Sequence, residues 1–364
     1  MRVVLSGGGT GGHYFPALAV GRELQRRGHR VFFVGSKGRI EERLNDFPAE
    51  ERVYLPVAAF SGKGLKGLVA PFTVSAAALK LLKLFKRWRP DRVVVFGGYA
   101  SMPAGLAAVL SGTPLFLQEQ NSVPGRSLRL LSRFAGKAFL GFPDARKSLR
   151  CSCVFSGNPV REEVVEAAES KGKMGTRFLK RVGLCPELPT LLIVGGSQGA
   201  LWLNETALKA LPLIRGKFQV IHVTGPGKGR DRAEKLYRER GIPAFVTEFY
   251  GKVWELYAAA DAAVSRAGAL ALAELSLFGI PTLLVPFPFA TDDHQFKNGA
   301  FYAERGAAIL RRQEELPPEE FARIVTGLLF DRIERERLRK NFLSLSRPEA
   351  TELIVGELEL NGEN

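Results

Sequence analysis

The chain has 364 residues, of which 46% are hydrophobic and 24% charged. These values are close to the averages of globular proteins, so a disordered or collagen-like chain is excluded. At roughly 150 residues per domain the length suggests two domains, and a chain of this size buries a large core without disulfide or metal staples. The 52 basic and 37 acidic residues leave a net charge of +15, which favours anionic partners such as nucleic acid, acidic lipid headgroups or phosphorylated substrates.

The cysteines and the apolar segments indicate a compartment. Cys151, Cys153 and Cys185 form an odd, sparse set, which fits a reducing compartment and falls short of a four-ligand zinc site. The first residues lack the apolar core of about 7–15 residues of a signal peptide, and no apolar run reaches the roughly 18 residues that span a bilayer. We therefore expect a cytoplasmic protein that is soluble or peripherally bound to a membrane.

Predicted strands alternate with helices along the chain, which is typical of parallel sheets covered by helices on both faces. The first series of predicted strands is Arg2–Ser6, Val31–Gly35, Arg92–Phe96, Pro114–Gln118, Ala138–Leu140 and Val154–Phe155, with helices such as Pro16–Arg27, Thr73–Trp88 and Gly125–Ser132. The second series is Thr190–Val194, Gln219–Thr224, Ala244–Thr247, Ala262–Ser265, Thr282–Val285 and Ala307–Ile309. Turn-forming and charged residues place the domain boundary between Gly157 and Pro189.

Both halves begin with a strand, a glycine-rich loop and a helix. A ligand is therefore expected between the halves, at the carboxyl ends of both sheets. The first loop, 7–12, is Gly-Gly-Gly-Thr-Gly-Gly and contains the pattern G-x-G-x-x-G. Glycines let the backbone approach a ligand, and the helix N-terminus offers N–H groups to an anion.

A dinucleotide site also needs an acidic residue about 20 positions further on to bind the ribose. The second predicted strand ends in Gly-Ser-Lys-Gly-Arg at 35–39 without an acid, so NAD is disfavoured. NADP stays open, because Lys37 and Arg39 suit a 2′-phosphate, and a tight turn without a ligand stays open too.

Two more glycine-rich loops follow predicted strands. Residues 195–199, Gly-Gly-Ser-Gln-Gly, provide a possible phosphate cradle in which the Ser197 hydroxyl is an added donor. Gly97, Gly98 and Tyr99 follow the strand that ends at Phe96. Three such loops at strand ends predict a binding site.

Six segments in this order resemble the MurG family of bacterial glycosyltransferases: GGTGGH at 8–13, GGY at 97–99, EQN at 119–121, GNPVR at 157–161, GGSQGA at 195–200 and SRAGA at 265–269. The resemblance covers nearly the whole chain. It implies a transferase that moves N-acetylglucosamine from UDP-N-acetylglucosamine to the 4-hydroxyl of the N-acetylmuramyl unit of lipid I. The product, lipid II, serves peptidoglycan synthesis, cell-wall biogenesis, cell shape and cell division.

The resemblance also implies an α/β fold of the GT-B type, with two Rossmann-like domains whose parallel sheets face an interdomain cleft. Residues 1–160 would form the acceptor- and membrane-binding domain, with a C-terminal helix at 348–364 packing back on it. Residues 161–347 would bind the UDP-sugar. The expected partners are UDP-N-acetylglucosamine, lipid I (undecaprenyl-pyrophosphoryl-N-acetylmuramyl-pentapeptide) and an anionic membrane surface, without nucleic acid and without a cofactor.

Inversion at the anomeric carbon, as the family implies, requires a base for the acceptor hydroxyl and stabilisation of the departing UDP. His13 is the leading base, because the helix N-terminus at which it lies disfavours the imidazolium form. The alternative is a histidine that caps the helix or binds a phosphate. Glu119 is the second catalytic candidate, as a base or as a group that orients the acceptor.

No Asp-x-Asp motif is present, and the adjacent carboxylates in Asp292-Asp293-His294 are poorly spaced for one ion. We therefore expect metal-independent displacement, with the diphosphate bound by loop N–H groups, Ser197 and helix N-termini. Arg161 is expected to assist; an interdomain salt bridge is its alternative role.

Glu274 lies in an apolar helical segment, where a charge needs a partner, and its carboxylate suits the two hydroxyls of a ribose. By resemblance, the backbone at Phe249 and Tyr250 rims the uracil, Gln295 and Asn298 read the sugar hydroxyls, and Asn121 contacts the donor sugar or the acceptor. The role of His294 stays open. The predicted donor set also includes Thr10, Gly11, Gly12, Gln198, Ala269 and Leu270, and the predicted acceptor-side set is Gly97, Gly98 and Tyr99.

The segment from 62 to 92 combines apolar and basic residues. We predict that Leu65, Leu68, Val69 and Phe72 enter the cytoplasmic leaflet of the membrane while Lys80 and Lys83 bind anionic headgroups. The alternative is a sheet-packing helix with solvated lysines.

Three other functions remain as alternatives. The first is another GT-B enzyme that uses UDP-sugars, such as a glycolipid synthase or an epimerase, and the second is an NADP-dependent reductase. The third is a nucleic-acid-binding protein, which is disfavoured because the basic residues are scattered and do not interleave with aromatic side chains.

Overall fold

The computed structural model describes residues 1–56 and 65–360, the side chains of residues 65–71 excepted. The chain forms two compact units, one made of Met1–Arg161 and Arg347–Asn364 and the other of Glu162–Ser346. Each unit is built on one parallel sheet.

The first unit has a seven-stranded sheet in the order β3-β2-β1-β4-β5-β6-β7. Its strands are β1 (Arg2–Ser6), β2 (Arg30–Ser36), β3 (Glu51–Leu55), β4 (Arg92–Val95), β5 (Leu115–Glu119), β6 (Lys137–Leu140) and β7 (Ser152–Phe155). Its helices are α1 (Gly11–Arg26), α2 (Ile40–Leu44), α3 (Leu65–Trp88), α4 (Ser101–Ser111), α5 (Arg126–Leu131) and, from the end of the chain, α15 (Ala350–Leu360). Strand β3 was not predicted from the sequence, because this edge strand is only half-buried and begins with two charged residues.

Two apolar clusters cover the two faces of this sheet. On one face, α3 and α4 bury Leu81, Phe85 and Ala104 against Val93 and Val95. On the other face, α1 packs with α15, whose Ile354, Val355 and Leu358 are fully buried in the cluster that contains Val3 and Leu5. Strands buried on both faces read as continuous apolar runs, which explains why β1 and β4 are recognisable in the sequence.

The second unit has a six-stranded sheet in the order β10-β9-β8-β11-β12-β13. Its strands are β8 (Thr190–Val194), β9 (Gln219–Val223), β10 (Ala244–Thr247), β11 (Ala262–Ser265), β12 (Thr282–Leu284) and β13 (Ile309–Leu310). Its helices are α6 (Glu162–Glu169), α7 (Lys171–Arg181), α8 (Leu201–Ala210), α9 (Arg230–Glu239), α10 (Val253–Ala259), α11 (Ala269–Phe278), α12 (His294–Ala303), α13 (Pro318–Phe330) and α14 (Arg332–Ser344).

The strand orders determine which loops are neighbours. In the first sheet β1, β4 and β5 are adjacent, and in the second sheet β8, β11 and β12 are adjacent. Because all pairings are parallel, the loops that follow adjacent strands lie at one edge of the sheet. Within the residues that the structure describes, none of the helices combines the length and the apolar character that crossing a membrane would require.

Candidate functional site

The glycine loop after β1 packs directly against the loop after β4. Gly98 has a φ of +85°, and a Cβ at this position would overlap the carbonyl oxygen of Gly8. Gly97 has a φ of +90°, and a Cβ there would lie 2.8 Å from Cδ2 of His13. Both positions therefore require glycine, for backbone conformation and for space. This contact brings together two of the three loops that the sequence singled out.

His13 is half-buried in the first turn of α1, and its ring lies against the backbone of Gly97. Its Nδ1 is 3.2 Å from Oγ1 of Thr10, and its backbone N–H donates to the carbonyl of Thr10. Thr10 and Gly12 are exposed, so the N-terminus of α1 is open to a ligand. Tyr99 is half-buried at the same edge, with the Arg39 guanidinium 5.3 Å from the centre of its ring.

Glu41, which the sequence analysis missed, fixes the other side of this loop. The side chain is fully buried on α2, and both carboxylate oxygens lie 3.0 Å from the Gly9 N–H. One of them also accepts the Ser36 N–H at 2.9 Å. The signal in the sequence is an acid in the first turn after the second strand, just beyond the 35–39 segment in which no acid was found. This carboxylate binds the glycine loop of its own chain, so it is not the ribose ligand that a dinucleotide site requires.

Glu119, a predicted catalytic residue, lies at the end of β5 and contacts the loop that follows. Its exposed fraction is 2%. One oxygen accepts the backbone N–H of Asn121 at 2.9 Å and the other accepts the N–H of Gly125 at the same distance. Burial raises the pKa of this carboxyl group, although the N–H donors oppose the shift. Both oxygens are engaged in the loop after β5, so Glu119 connects Asn121 and Gly125 to the end of this strand.

The segment 157–161 is tied to the same edge of the first sheet. Asn158 donates to the carbonyl of Gln120 at 3.0 Å and accepts from the side chain of Gln118 at 3.2 Å. The Arg161 guanidinium lies 4.5 Å from the centre of the Phe15 ring on α1, a cation–π contact. The predicted residues Arg161, Asn121 and His13 are therefore all held by loops or helix ends at the carboxyl edge of this sheet.

In the second unit, the glycine loop after β8 presents Ser197 and Gln198 to solvent. Gly199 has a φ of +66°, and a Cβ there would overlap the carbonyl of Thr224 in the loop after β9. The Lys228 ammonium donates to the carbonyl of Gly199 at 3.0 Å. This close packing fixes the loop, while the side chain of Ser197 stays accessible.

A buried polar network supports this loop from below. Asn204 donates through its amide NH₂ to the carbonyls of Thr224 and Lys228, so its Oδ1 accepts Nε2–H of His222 at 3.1 Å. Nδ1 of His222 then accepts from the Tyr237 hydroxyl at 2.8 Å. Burial lowers the pKa of His222 to about 3, so the ring is neutral. Every one of these contacts is consistent with this single tautomer.

Glu274 is buried on α11, with an exposed fraction of 5%. Its Oε2 accepts a hydrogen bond from the hydroxyl of the buried Tyr257 at 3.1 Å. The predicted residues Ala269 and Leu270 form the first turn of the same helix, whose N-terminal N–H groups point out of the carboxyl edge of the sheet. The helix therefore carries both an anion-binding end and a carboxylate suited to a diol.

The predicted sugar-reading residues Gln295 and Asn298 separate in the structure. Gln295 is half-buried and its Oε1 accepts the N–H of Phe287, which orients the amide. Asn298 is fully buried and donates to the carbonyl of Ala267 at 3.3 Å. This hydrogen bond connects α12 to the segment before α11.

The remaining predicted residues of the second unit lie around this edge. The Tyr250 hydroxyl donates to Glu255 and accepts from Arg181, and burial raises its pKa to about 12. Phe249 beside it is exposed. In the 292–294 segment, Asp293 pairs with Arg312 at 2.6 Å and Nδ1 of His294 donates to the carbonyl of Thr291 at 2.8 Å. Across residues 1–56 and 65–360, no three potential metal ligands cluster.

The predicted membrane residues lie on α3. Phe72 is 78% exposed, and Lys80 and Lys83 are exposed on the same helix. Leu79 is exposed as well, although nothing in the sequence analysis singled it out. The side chains of Leu65, Leu68 and Val69 lie outside the described residues. Leu81, Phe85 and Trp88 pack on the sheet, as the alternative interpretation requires for that face.

Comparison with known proteins finds two family models, the glycosyltransferase family 28 N-terminal domain over residues 3–140 and the family 28 C-terminal domain over residues 190–353. The chain is 39% identical over 363 residues to the UDP-N-acetylglucosamine–N-acetylmuramyl-(pentapeptide) pyrophosphoryl-undecaprenol N-acetylglucosamine transferase of Marinobacter nauticus, covering 97% of this chain and 96% of the relative. The protein of the same name from Hahella chejuensis is 37% identical over 96% of this chain and 94% of its own.

Solved structures agree in fold. MurG of Acinetobacter baumannii superimposes with a TM-score of 0.77 at 29% identity, covering 98% of this chain and 99% of that chain. UDP-GlcNAc 2-epimerase from Neisseria meningitidis has a TM-score of 0.70 over 98% of this chain and 99% of its own, but at 15% identity it shows the fold alone. The GT-B fold class predicted from the sequence is confirmed.

Proposed function

Because this chain belongs to glycosyltransferase family 28, we propose that it is an inverting transferase that moves N-acetylglucosamine from UDP-N-acetylglucosamine to the 4-hydroxyl of the N-acetylmuramyl unit of lipid I. The product is lipid II, a precursor of peptidoglycan. The observation that carries the proposal is the 39% identity, over nearly the full length of both chains, to a transferase whose name gives this donor and this acceptor.

His13 is the proposed base. When Nδ1–H donates to Oγ1 of Thr10, the lone pair resides on Nε2. Nε2 takes the proton of the acceptor hydroxyl. At the same time the oxygen of that hydroxyl forms a bond to C1 of the donor sugar, and the bond from C1 to UDP breaks. The contact with the Gly97 backbone holds the ring in one plane, which supports a positioned base. Gly97, Gly98 and Tyr99 line this end of the first unit for the acceptor.

Glu274 is the proposed ligand of the ribose. Ribose hydroxyls donate to its carboxylate, while the Tyr257 hydroxyl keeps that carboxylate in place and provides part of the compensation that a buried charge needs. The exposed Phe249 and the backbone near Tyr250 provide the uracil rim, and the amide of Gln295, oriented by the Phe287 N–H, reads the sugar hydroxyls. Asn121, placed by Glu119, is a further contact of the sugar or the acceptor.

Departing UDP carries the negative charge that develops in the reaction. The groups proposed to stabilise this charge are of three kinds. They are the polar side chains of the exposed loop after β8, backbone N–H groups and one cation. The set is Ser197 and Gln198, the N–H groups at Ala269, Leu270, Thr10, Gly11 and Gly12, and the Arg161 guanidinium. Preorganised N–H groups and cations of this kind stabilise a developing oxyanion without reorganisation during the reaction. No step in this scheme is assigned to a metal ion or a cofactor.

We further propose that the first unit docks on the cytoplasmic face of the cell membrane through α3, because lipid I is embedded there by its undecaprenyl chain. The exposed Phe72 and Leu79 supply apolar contacts, and Lys80 and Lys83 supply attraction to anionic headgroups. This is interfacial binding, in which the helix lies on the membrane surface and does not cross it.

The experiment that tests the function is an assay of UDP release from UDP-N-acetylglucosamine in the presence and absence of a lipid I analogue. Release that depends on the analogue, with a β-linked disaccharide product, is the expected result. Release without acceptor, or conversion of UDP-N-acetylglucosamine to an epimer, would instead indicate another enzyme of the same fold.

A further inference from the structure

A basic cavity lies at the end of the second unit opposite to its glycine loop. It has a volume of about 310 Å³ and is lined by Lys171, Asp261, Gly279, Pro281, Arg332, Arg335, Glu336 and Arg339. Asp261 and Pro281 immediately precede β11 and β12, so the cavity is at the amino ends of these strands. The residues proposed to bind UDP lie at the carboxyl ends, so the cavity is distinct from that site.

Helix α14 supplies most of the charge. Arg332, Arg335 and Arg339 are spaced i, i+3 and i+7, which places them on one face of the helix, toward the cavity. Only Arg335 is committed to a partner, donating to Asp261 at 3.0 Å and to the carbonyl of Leu329 at 3.2 Å. Arg332 and Arg339 are exposed and make no ion pair with any residue of the described ranges.

The carboxylates of the cavity do not balance these cations. Asp261 uses one oxygen for Arg335 and the other for the backbone N–H of Thr190 at 2.9 Å. Glu336 is exposed and, among the described residues, forms no ion pair. Four cationic side chains therefore face two carboxylates, and both oxygens of one of these carboxylates already accept hydrogen bonds.

Lys171 is half-buried at this cavity and is repelled by two of the arginines. Its ammonium donates to the carbonyl of Phe278 at 2.9 Å. Burial, together with repulsion from Arg339 and Arg335, lowers the pKa of Lys171 to about 8, and the attraction of Asp261 does not offset this. An anion in the cavity would replace the repulsion by attraction and supply acceptors to the unpaired guanidinium groups.

We propose that this cavity binds a small phosphate-bearing anion, taken either as free phosphate or diphosphate or as the phosphate of a lipid headgroup. Guanidinium groups match phosphate oxygens in pairs, and a lysine adds a point charge, so the lining has the composition of a phosphate site. The volume of about 310 Å³ is sufficient for a phosphate or a diphosphate. The site goes beyond the proposed transferase activity and does not depend on it.

The test is calorimetric titration of the full-length protein with inorganic pyrophosphate at fixed ionic strength, with saturating UDP present to fill any other diphosphate site. A parallel titration uses monomeric dihexanoyl phosphatidylglycerol. The probe variant is Arg332→Gln/Arg339→Gln, and the control is Lys209→Gln/Lys217→Gln, which removes the same charge from exposed, unpaired positions of the same unit.

We expect the unchanged protein to bind one of the two probes and the probe variant to bind it at least about tenfold more weakly, since two charge-assisted contacts are lost. The control should bind within about twofold of the unchanged protein. The probe that responds identifies the source of the phosphate. Absence of binding of both probes, or equal binding by the probe variant, would overturn the proposal. Lys171→Met, which keeps the bulk of the buried side chain, should weaken binding in the same titration.

Discussion

The carboxylate of Glu41 and the backbone N–H of Gly9 face each other with both oxygens 3.0 Å from the nitrogen. A buried carboxylate of the chain itself thus occupies one side of a loop whose pattern is otherwise typical of phosphate binding. A Cβ at Gly8 would overlap this carboxylate, so a side chain there would displace it from the Gly9 and Ser36 N–H groups. The other side of the loop, with Thr10 and His13, is where a substrate can approach.

Glu41→Gln should therefore loosen the loop that carries His13. An amide keeps one acceptor oxygen but turns an NH₂ group toward N–H donors, so we expect a loss of about 1–3 kcal/mol in the free energy of unfolding. We also expect kcat to fall at least tenfold. Glu42→Gln, one residue further along the same helix, is the matched control. Wild-type kcat in Glu41→Gln would show that the contact does not position the active loop.

His13→Ala should lower kcat by about 10²–10⁴-fold, the usual effect of losing a positioned base. UDP binding, measured by calorimetry, should change little, because a role in proton transfer leaves the nucleotide contacts intact. Thr10→Val should cause a smaller loss in kcat, since it removes only the partner of Nδ1. An unchanged kcat in His13→Ala would remove this residue from the mechanism.

Glu274→Ala should weaken UDP binding by about 10–100-fold, because two hydroxyl contacts to a charged acceptor are lost. Glu274→Gln, which keeps one acceptor oxygen, should be milder. Tyr257→Phe removes the hydroxyl that holds the carboxylate and should show an intermediate loss in affinity with little change in kcat at saturating donor. If calorimetry gives the same Kd for UDP in Glu274→Ala, the assignment to the ribose is incorrect.

A triple variant tests the docking of α3 on the membrane: Phe72→Ser/Lys80→Glu/Lys83→Glu. We expect it to reduce co-sedimentation with vesicles containing anionic lipid by at least about tenfold, because each lysine near the surface contributes roughly 1 kcal/mol to binding. The matched control replaces one exposed apolar side chain and two exposed lysines of the second unit: Leu213→Ser/Lys209→Glu/Lys217→Glu. Raising the salt concentration should reduce binding of the unchanged protein. Equal sedimentation with neutral and anionic vesicles would argue against the docking surface on α3.

The buried His222 predicts a pH dependence of stability. Its pKa in the folded protein is about 3, below the ordinary value of 6.5, so below about pH 6.5 the unfolded chain binds a proton that the folded one does not. The stability due to the neutral ring is present above pH 6.5 and is lost as the pH falls toward 3, by about 1.4 kcal/mol per pH unit. In urea unfolding between pH 6 and 4.5, His222→Gln should lack this part of the slope. Identical slopes in the two proteins would contradict the assignment.

The sequence by itself determined the fold class and most of the strands. Strands of parallel sheets are buried on both faces, so β1, β8 and β11 are recognisable in the sequence as apolar runs. Glycine loops that follow such strands are equally visible, because backbone conformation and close approach allow no other residue at positions such as Gly97 and Gly199. The ordered set of loop motifs then identified the family.

Only the tertiary structure decided what each polar side chain contacts. Glu119 and Asn298 lie within recognisable motifs, but only the structure shows that both are buried and hydrogen-bonded to neighbouring loops. Glu41 has no motif of its own, because its function depends on a loop 32 residues away in the sequence. The basic cavity combines residues from α7, α14 and the starts of two strands. Strand order brings these distant residues together, and local sequence patterns contain no information about such contacts.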